Sequence, residues 1–111
     1  MLKPGTYELR IFRTAAGACP YEEWLTELSE QMQQRITLRV FRMMKGQFGD
    51  FKAVVEDLYE LRLFFGAGYR VYFGDDGCRA VILLAGGDKS TQGKDIKKAK
   101  DYWKTYREEH R

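Results

Sequence analysis

Residues 58–73 read LYELRLFFGAGYRVYF, and the alternation within this stretch decides the fold. Tyr59, Leu61, Leu63 and Phe65 fall on one side, whereas Leu58, Glu60, Arg62 and Phe64 fall on the other. After Gly66-Ala67-Gly68, Tyr69, Val71 and Phe73 alternate with Arg70 and Tyr72. A period of two on both sides of a short glycine turn marks an antiparallel hairpin. If those three residues close it, Phe65 stands opposite Tyr69, Arg62 stands opposite Tyr72, and Arg62 lies diagonal to Arg70. Cross-strand neighbours are about 5 Å apart at Cβ and diagonals about 7–8 Å, so both guanidinium groups can reach one anion. The aliphatic and aromatic residues occupy the other side, so the arginine face is expected to look outward or into a groove.

Working outward, residues 79–85 follow the Gly74-Asp75-Asp76-Gly77 turn and are almost continuously apolar, as in a central strand covered on both faces. Upstream, 47–53 reads as a loop around Gly49-Asp50. A helix is expected over 30–45, where Met32, Ile36, Val40 and Met43 form a stripe and Gly46 is a natural stop. Another is expected over 20–29, with Pro20 as a first helical residue and Glu22 and Glu23 at the positive end of the dipole. Residues 6–12 alternate as a first strand. At the other end Gly86-Gly87-Asp88 leads into a helix from about Gln92, capped by Ser90 or Thr91. Its apolar face is Ile96, Ala99, Trp103 and Tyr106, and Lys94, Lys97, Lys98 and Lys104 lie opposite. The order is β-α-α-β-β-β-α: an α+β domain with an antiparallel sheet, two N-terminal helices on one face and a C-terminal helix. One domain spans residues 1–111, its last few residues expected to be disordered.

The composition is that of a soluble globular protein, 44% apolar and 32% charged. With no long apolar run and no signal-like start, the cytoplasm is the expected location and no membrane is involved. Cys19 and Cys78 belong to no ligand cluster and read as free thiols, and the single His110 argues against a catalytic triad or a histidine metal centre. No metal or other cofactor is expected. The formal charge is +3, but residues 89–107 hold seven basic and two acidic residues, which leaves the rest of the chain at −2. Such asymmetry points to an anionic partner for the C-terminal part.

Arginine suits a phosphodiester because its planar fork matches phosphate oxygens and keeps its charge at physiological pH. Lys89, just past the last strand, can approach from the strand's end. Fixed cations stabilise charge that develops on a pentacoordinate phosphoryl group. RNA carries its own nucleophile, the 2′-hydroxyl, so such a site can cleave RNA without a metal or a histidine. The plainer use of the same residues is an ion pair with Glu60, with Tyr72 an ordinary strand aromatic.

Three segments, Leu58-Tyr59-Glu60-Leu61-Arg62, Gly68-Tyr69-Arg70-Val71-Tyr72-Phe73, and Gly86-Gly87-Asp88-Lys89-Ser90-Thr91-Gln92 followed by Lys94-Asp95-Ile96 and Ala99, resemble the phage-derived "addiction module killer" branch of the RelE/HigB/ParE toxin superfamily. The resemblance covers about residues 5–106. It implies the toxin of a type II toxin–antitoxin pair, held by a helix-turn-helix antitoxin and touching DNA only through that complex. It also implies an endoribonuclease, or mRNA interferase, that inhibits translation by cutting mRNA on the ribosome. Carried over by motif, Arg62, Arg70 and Lys89 are the catalytic candidates, with Tyr72, Lys94, Lys97, Lys98 and Lys104 as RNA contacts. The chain departs from the ribosome-dependent members where it has Leu58 and Glu60 in place of lysines and Asp95 in place of a tyrosine. The general base is therefore open among Glu60, Tyr72 and a lysine. A ParE-like gyrase inhibitor and an inactive antitoxin-binding module stay open beside the nuclease.

Overall fold

The computed structural model describes residues 2–110. The elements in chain order are β1 (Glu8–Ile11), α1 (Pro20–Thr26), α2 (Glu30–Met44), β2 (Phe51–Val55), β3 (Leu58–Arg62), β4 (Arg70–Asp75), β5 (Ala80–Gly87) and α3 (Gln92–Glu109), with a 3-10 turn at Lys89–Thr91 before α3. The strands form one sheet in the order β1-β5-β4-β3-β2. The α+β class, the paired N-terminal helices and the C-terminal helix are as the sequence implies.

The local signals explain the helices. Pro20 starts α1 and two glutamates follow in its first turn. Ser29 caps α2 by accepting the Met32 N–H at 3.3 Å. In the 3-10 turn the Asp88 carboxylate accepts the Ser90 N–H at 2.8 Å, and the Thr91 hydroxyl accepts the Asp88 N–H. Thr91 is the N-cap residue of α3, as expected, but its side chain makes no capping hydrogen bond to that helix; the side-chain cap lies one turn earlier, at Asp88.

Two expectations about the sheet are corrected. Residues 51–55, read mostly as loop, form the edge strand β2, paired with β3 at Phe51↔Leu61 and Lys52↔Glu60. An edge strand exposed at Phe51, Lys52 and Ala53 shows little apolar alternation, and only its partner reveals it. The sheet is also mixed: β1 runs parallel to β5, while the other three pairs are antiparallel. A parallel neighbour needs a long crossover, here supplied by everything between β1 and β5.

The sheet is covered on both faces. On one, Ile36, Val40 and Met43 of α2 and Tyr21 of α1 pack on Leu61, Leu63, Val71, Phe73, Val81 and Leu83. On the other, Ala99, Trp103 and Tyr106 of α3 pack on Leu58, Tyr72, Ala80, Ile82 and Leu84. β5 is buried on both sides, as its unbroken apolar run requires. Large aromatics fit because glycines give way. A side chain on Gly74 would collide with the Trp103 ring, and one on Gly86 with the Trp24 ring.

Candidate functional site

The arginine side of the hairpin is not an open face. Leu58, Glu60 and Arg62 share it with Arg70 and Tyr72, and α3 lies across it, so Glu60 is 2% exposed and Tyr72 fully buried. Only the strand ends, beyond the start of α3, emerge. There Arg62 stands directly opposite Arg70, while one step inward Glu60, buried, stands opposite Tyr72. This register is two residues from the one expected. The turn spans five residues, 64–68, because Leu63 N–H already donates to Tyr69 C=O, and Gly66 and Gly68 carry φ of +60° and +75° that close the wider loop. A shift of two preserves the faces and replaces the diagonal arginine pair by a direct one.

The two guanidinium groups converge on an anion-sized point that the chain fills itself. Arg62 Nε and Arg70 Nε each donate to Oε1 of Glu60 at 3.2 Å, and Gln92 Nε2 donates to its Oε2 at 3.0 Å. Desolvation alone would push the Glu60 carboxyl up, but the hydrogen bonds from Gln92, Arg62 and Arg70 outweigh it and hold the group below its ordinary value. Arg70 Nη1 also donates to Gly68 C=O at 2.8 Å. Among the described residues, both terminal nitrogens of Arg62 and the Nη2 of Arg70 have no protein partner. The two side chains are 30% and 14% exposed, so both are partly open to solvent.

Lys89 belongs to the same corner. Gly87 pairs with Arg70 across β4 and β5, and Lys89 follows two residues later, exposed, with its Cβ close to Gly68 and hence to Arg70. The surrounding signature resolves into mechanical parts. Gly86 leaves room for Trp24 on one face, and Gly87 for the Asp95 carboxylate and Thr91 hydroxyl on the other. Asp88 caps the turn, and hydrogen bonds from the Ser90 hydroxyl and N–H hold its carboxyl below the ordinary value. Thr91 donates to Asp95 at 2.5 Å, and Gln92 reaches Glu60. The segment thus ties the end of β5 to the arginine pair and leaves Lys89 projecting.

Other candidate residues are placed apart. Tyr72 was expected to present its hydroxyl to a substrate; it lies buried instead, without a hydrogen-bond partner, and burial raises its pKa. Neither Tyr72 nor Glu60 is exposed for general-base work. Lys94, Lys97, Lys98 and Lys104 are exposed along α3. Lys104 lines a hollow with Val55 and Glu56, near the start of β3 and far from Arg62. Cys19 and Cys78 are free, one buried and one exposed. His110 stacks on Tyr106 with ring centroids 4.0 Å apart, while Arg111, part of the tail expected to be disordered, lies outside the described residues. Among the described residues no group of three or more His, Cys, Asp or Glu side chains could hold a metal, and no helix is long and apolar enough to cross a membrane.

Four contributors are not evident from the sequence. Gln92 sits inside the signature, but its partner, 32 residues away, was invisible. Arg35, Arg39 and Arg42 line, with Arg62, a hollow on the α2 side of the hairpin; their spacing of four and three residues on one face of the 30–45 helix is the signal in the sequence.

The chain is similar to an uncharacterized protein of Haemophilus influenzae, 47% identical over 81 residues, which are 72% of this chain and 82% of that protein. The profile of the family described as phage derived protein Gp49-like (DUF891) matches residues 23–110, from α1 through α3 and including Arg62, Arg70 and Lys89. With so much of the fold and all of the arginine corner inside the match, the chain belongs to the phage-derived Gp49-like family, a family of toxin-like addiction-module proteins.

Proposed function

We propose that this protein is the toxin of a type II toxin–antitoxin pair, a RelE/HigB-type endoribonuclease that needs no metal and inhibits translation by cutting mRNA on the ribosome. The observation that carries the reading is the convergence of two partly exposed arginines, Arg62 and Arg70, on one oxygen, with terminal donors that no described residue engages and Lys89 beside them. Glu60 fixes the two forks from beneath, so little side-chain ordering remains when a phosphate arrives.

In the proposed reaction the 2′-hydroxyl attacks the adjacent phosphorus, the bond to the 5′-oxygen breaks, and a 2′,3′-cyclic phosphate and a 5′-hydroxyl result. The hydroxyl's proton leaves to water. Arg62 and Arg70 take the charge growing on the non-bridging oxygens, and the Lys89 ammonium supplies a proton to the departing oxygen. A small helix-turn-helix antitoxin is the proposed partner, with DNA met only through that complex, and the cytoplasm is the proposed location. The family membership supports the toxin reading.

The burial of Glu60 and Tyr72, which leaves the corner without a free carboxylate or phenol, favours one second reading: a ParE-like toxin that inhibits gyrase by binding. Induction in cells followed by mapping of RNA 5′ ends separates the two. New ends in mRNA that vanish with Arg70→Ala, together with the growth arrest, support the nuclease. Arrest with intact mRNA and damaged DNA supports the gyrase inhibitor, and no arrest at all leaves an inactive binding module.

A further inference from the structure

Arg62 borders two spaces. One is the corner it shares with Arg70. The other is a groove of about 430 Å³ between α2 and the β3–β4 turn, lined by Arg35, Arg39, Arg42, Arg62, Phe64 and Asp50 among others. Four guanidinium groups face one carboxylate there. The three from α2 stand at positions i, i+4 and i+7, a row about 10 Å long at the helical rise. Burial is the main cause that lowers the Arg39 pKa, with repulsion from Arg42 adding to it and Asp50 opposing it.

The arginines are held for different tasks. Arg39 donates to Phe48 C=O at 3.1 Å, and the Arg35 guanidinium lies 3.9 Å over the Phe65 ring. Phe64 is the outlier: at 80% exposed it is the most open large apolar side chain of the chain's described residues, because the five-residue turn directs it away from the core that receives Leu63. An exposed aromatic amid arginines that border a phosphate-binding corner has the makings of a stacking platform on a cationic track.

We propose that this groove binds single-stranded RNA, with Phe64 stacking on a base next to the scissile nucleotide and Arg35 and Arg42 following the backbone away from the Arg62/Arg70 corner. The inference rests on the endoribonuclease reading and adds a binding subsite on the α2 side of the sheet, opposite the lysines of α3. Arginine and an aromatic face suit a nucleotide, which offers both a flat base and an anionic link; an acidic peptide offers only the charge.

The test is fluorescence anisotropy with a fluorescein-labelled ten-nucleotide 2′-O-methyl RNA, which cannot be cut, at several salt concentrations, with thermal melts to confirm that each variant folds. Phe64→Ala is expected to weaken binding about tenfold and Phe64→Trp to restore it. The pair Arg35→Gln and Arg42→Gln is expected to weaken binding and to reduce the salt slope by about 1.4, the loss of two phosphate contacts on a single strand. If these variants bind like wild type while Arg70→Ala loses affinity, the groove proposal is overturned and the corner stands. If the wild-type chain does not bind the RNA, the groove proposal is overturned, while the corner is judged by cleavage of mRNA on the ribosome. If groove variants keep RNA affinity but lose the neighbouring antitoxin, the surface is a protein dock and the RNA proposal is overturned.

Discussion

Glu60 shows how one buried side chain can organise a corner of the fold. Its two oxygens take hydrogen bonds from Arg62, Arg70 and Gln92, which joins β3, β4 and α3. Because its folded-state carboxyl sits below the ordinary value of 4.5, its contribution to stability is complete above that value and is lost as pH falls through the lower folded value. Urea unfolding at pH 7 and pH 3.5 should therefore show wild type losing more stability on acidification than Glu60→Gln. At pH 7 the variant should be less stable by about 1–3 kcal/mol. Tyr72 makes the opposite case. Its hydroxyl is buried without a partner, so Tyr72→Phe removes a desolvation cost of about 1–3 kcal/mol and should leave the melting temperature unchanged or higher. RNA affinity should not change, since the ring does not reach the surface; a large loss of affinity would return Tyr72 to the binding surface.

At the scale of elements, the alternation in 58–73 shows which residues share a face but not how the strands are aligned. Alignment depends on how many residues the turn consumes, and Gly66 and Gly68 allow five where three were expected. The sites survive that error because an even offset keeps Arg62 and Arg70 on one side. The edge strand β2 went unread because Phe51, Lys52 and Ala53 are exposed and show their strand nature only against β3. The cover over the arginine face was legible in principle: the stripe of Ala99, Trp103 and Tyr106 needed a surface, and the two-sided burial of β5 required one. The signature after β5 identified Lys89 but not the joint around it, whose contacts run to Trp24, Glu60 and Asp95. That joint makes a prediction. Gly86→Ala drives a methyl into Trp24 and Gly87→Ala one into Asp95, so each should cost about 1–3 kcal/mol in thermal unfolding. Gly93→Ala, open on all sides within the same segment, should be neutral or slightly stabilising.

Across the whole molecule, positive charge is distributed over both faces of the sheet: the lysines of α3 on one, the arginines of α2 on the other, with Arg62 and Arg70 at the strand ends between them. A net charge of +3 understates this arrangement, because carboxylates such as Glu60 and Asp88 lie within the corner as fixed counterions and not around it. RNA affinity should fall as salt rises, by about 0.7 in log–log slope for each phosphate held. Lys97→Glu with Lys98→Glu should weaken binding to all sequences alike, as expected of backbone contacts, when affinities for unrelated RNAs are compared. The most direct measurement of the central claim is single-turnover cleavage of an mRNA on programmed ribosomes by purified wild-type, Arg62→Ala and Arg70→Ala proteins. A matched mRNA should carry one 2′-deoxynucleotide at the mapped cut. Wild type should cut and leave a cyclic phosphate, each arginine variant should be slower by about a hundredfold or more, and the deoxy substitution should abolish the cut. Cleavage at the wild-type rate by either arginine variant, or undiminished cutting of the deoxy message, would contradict the account.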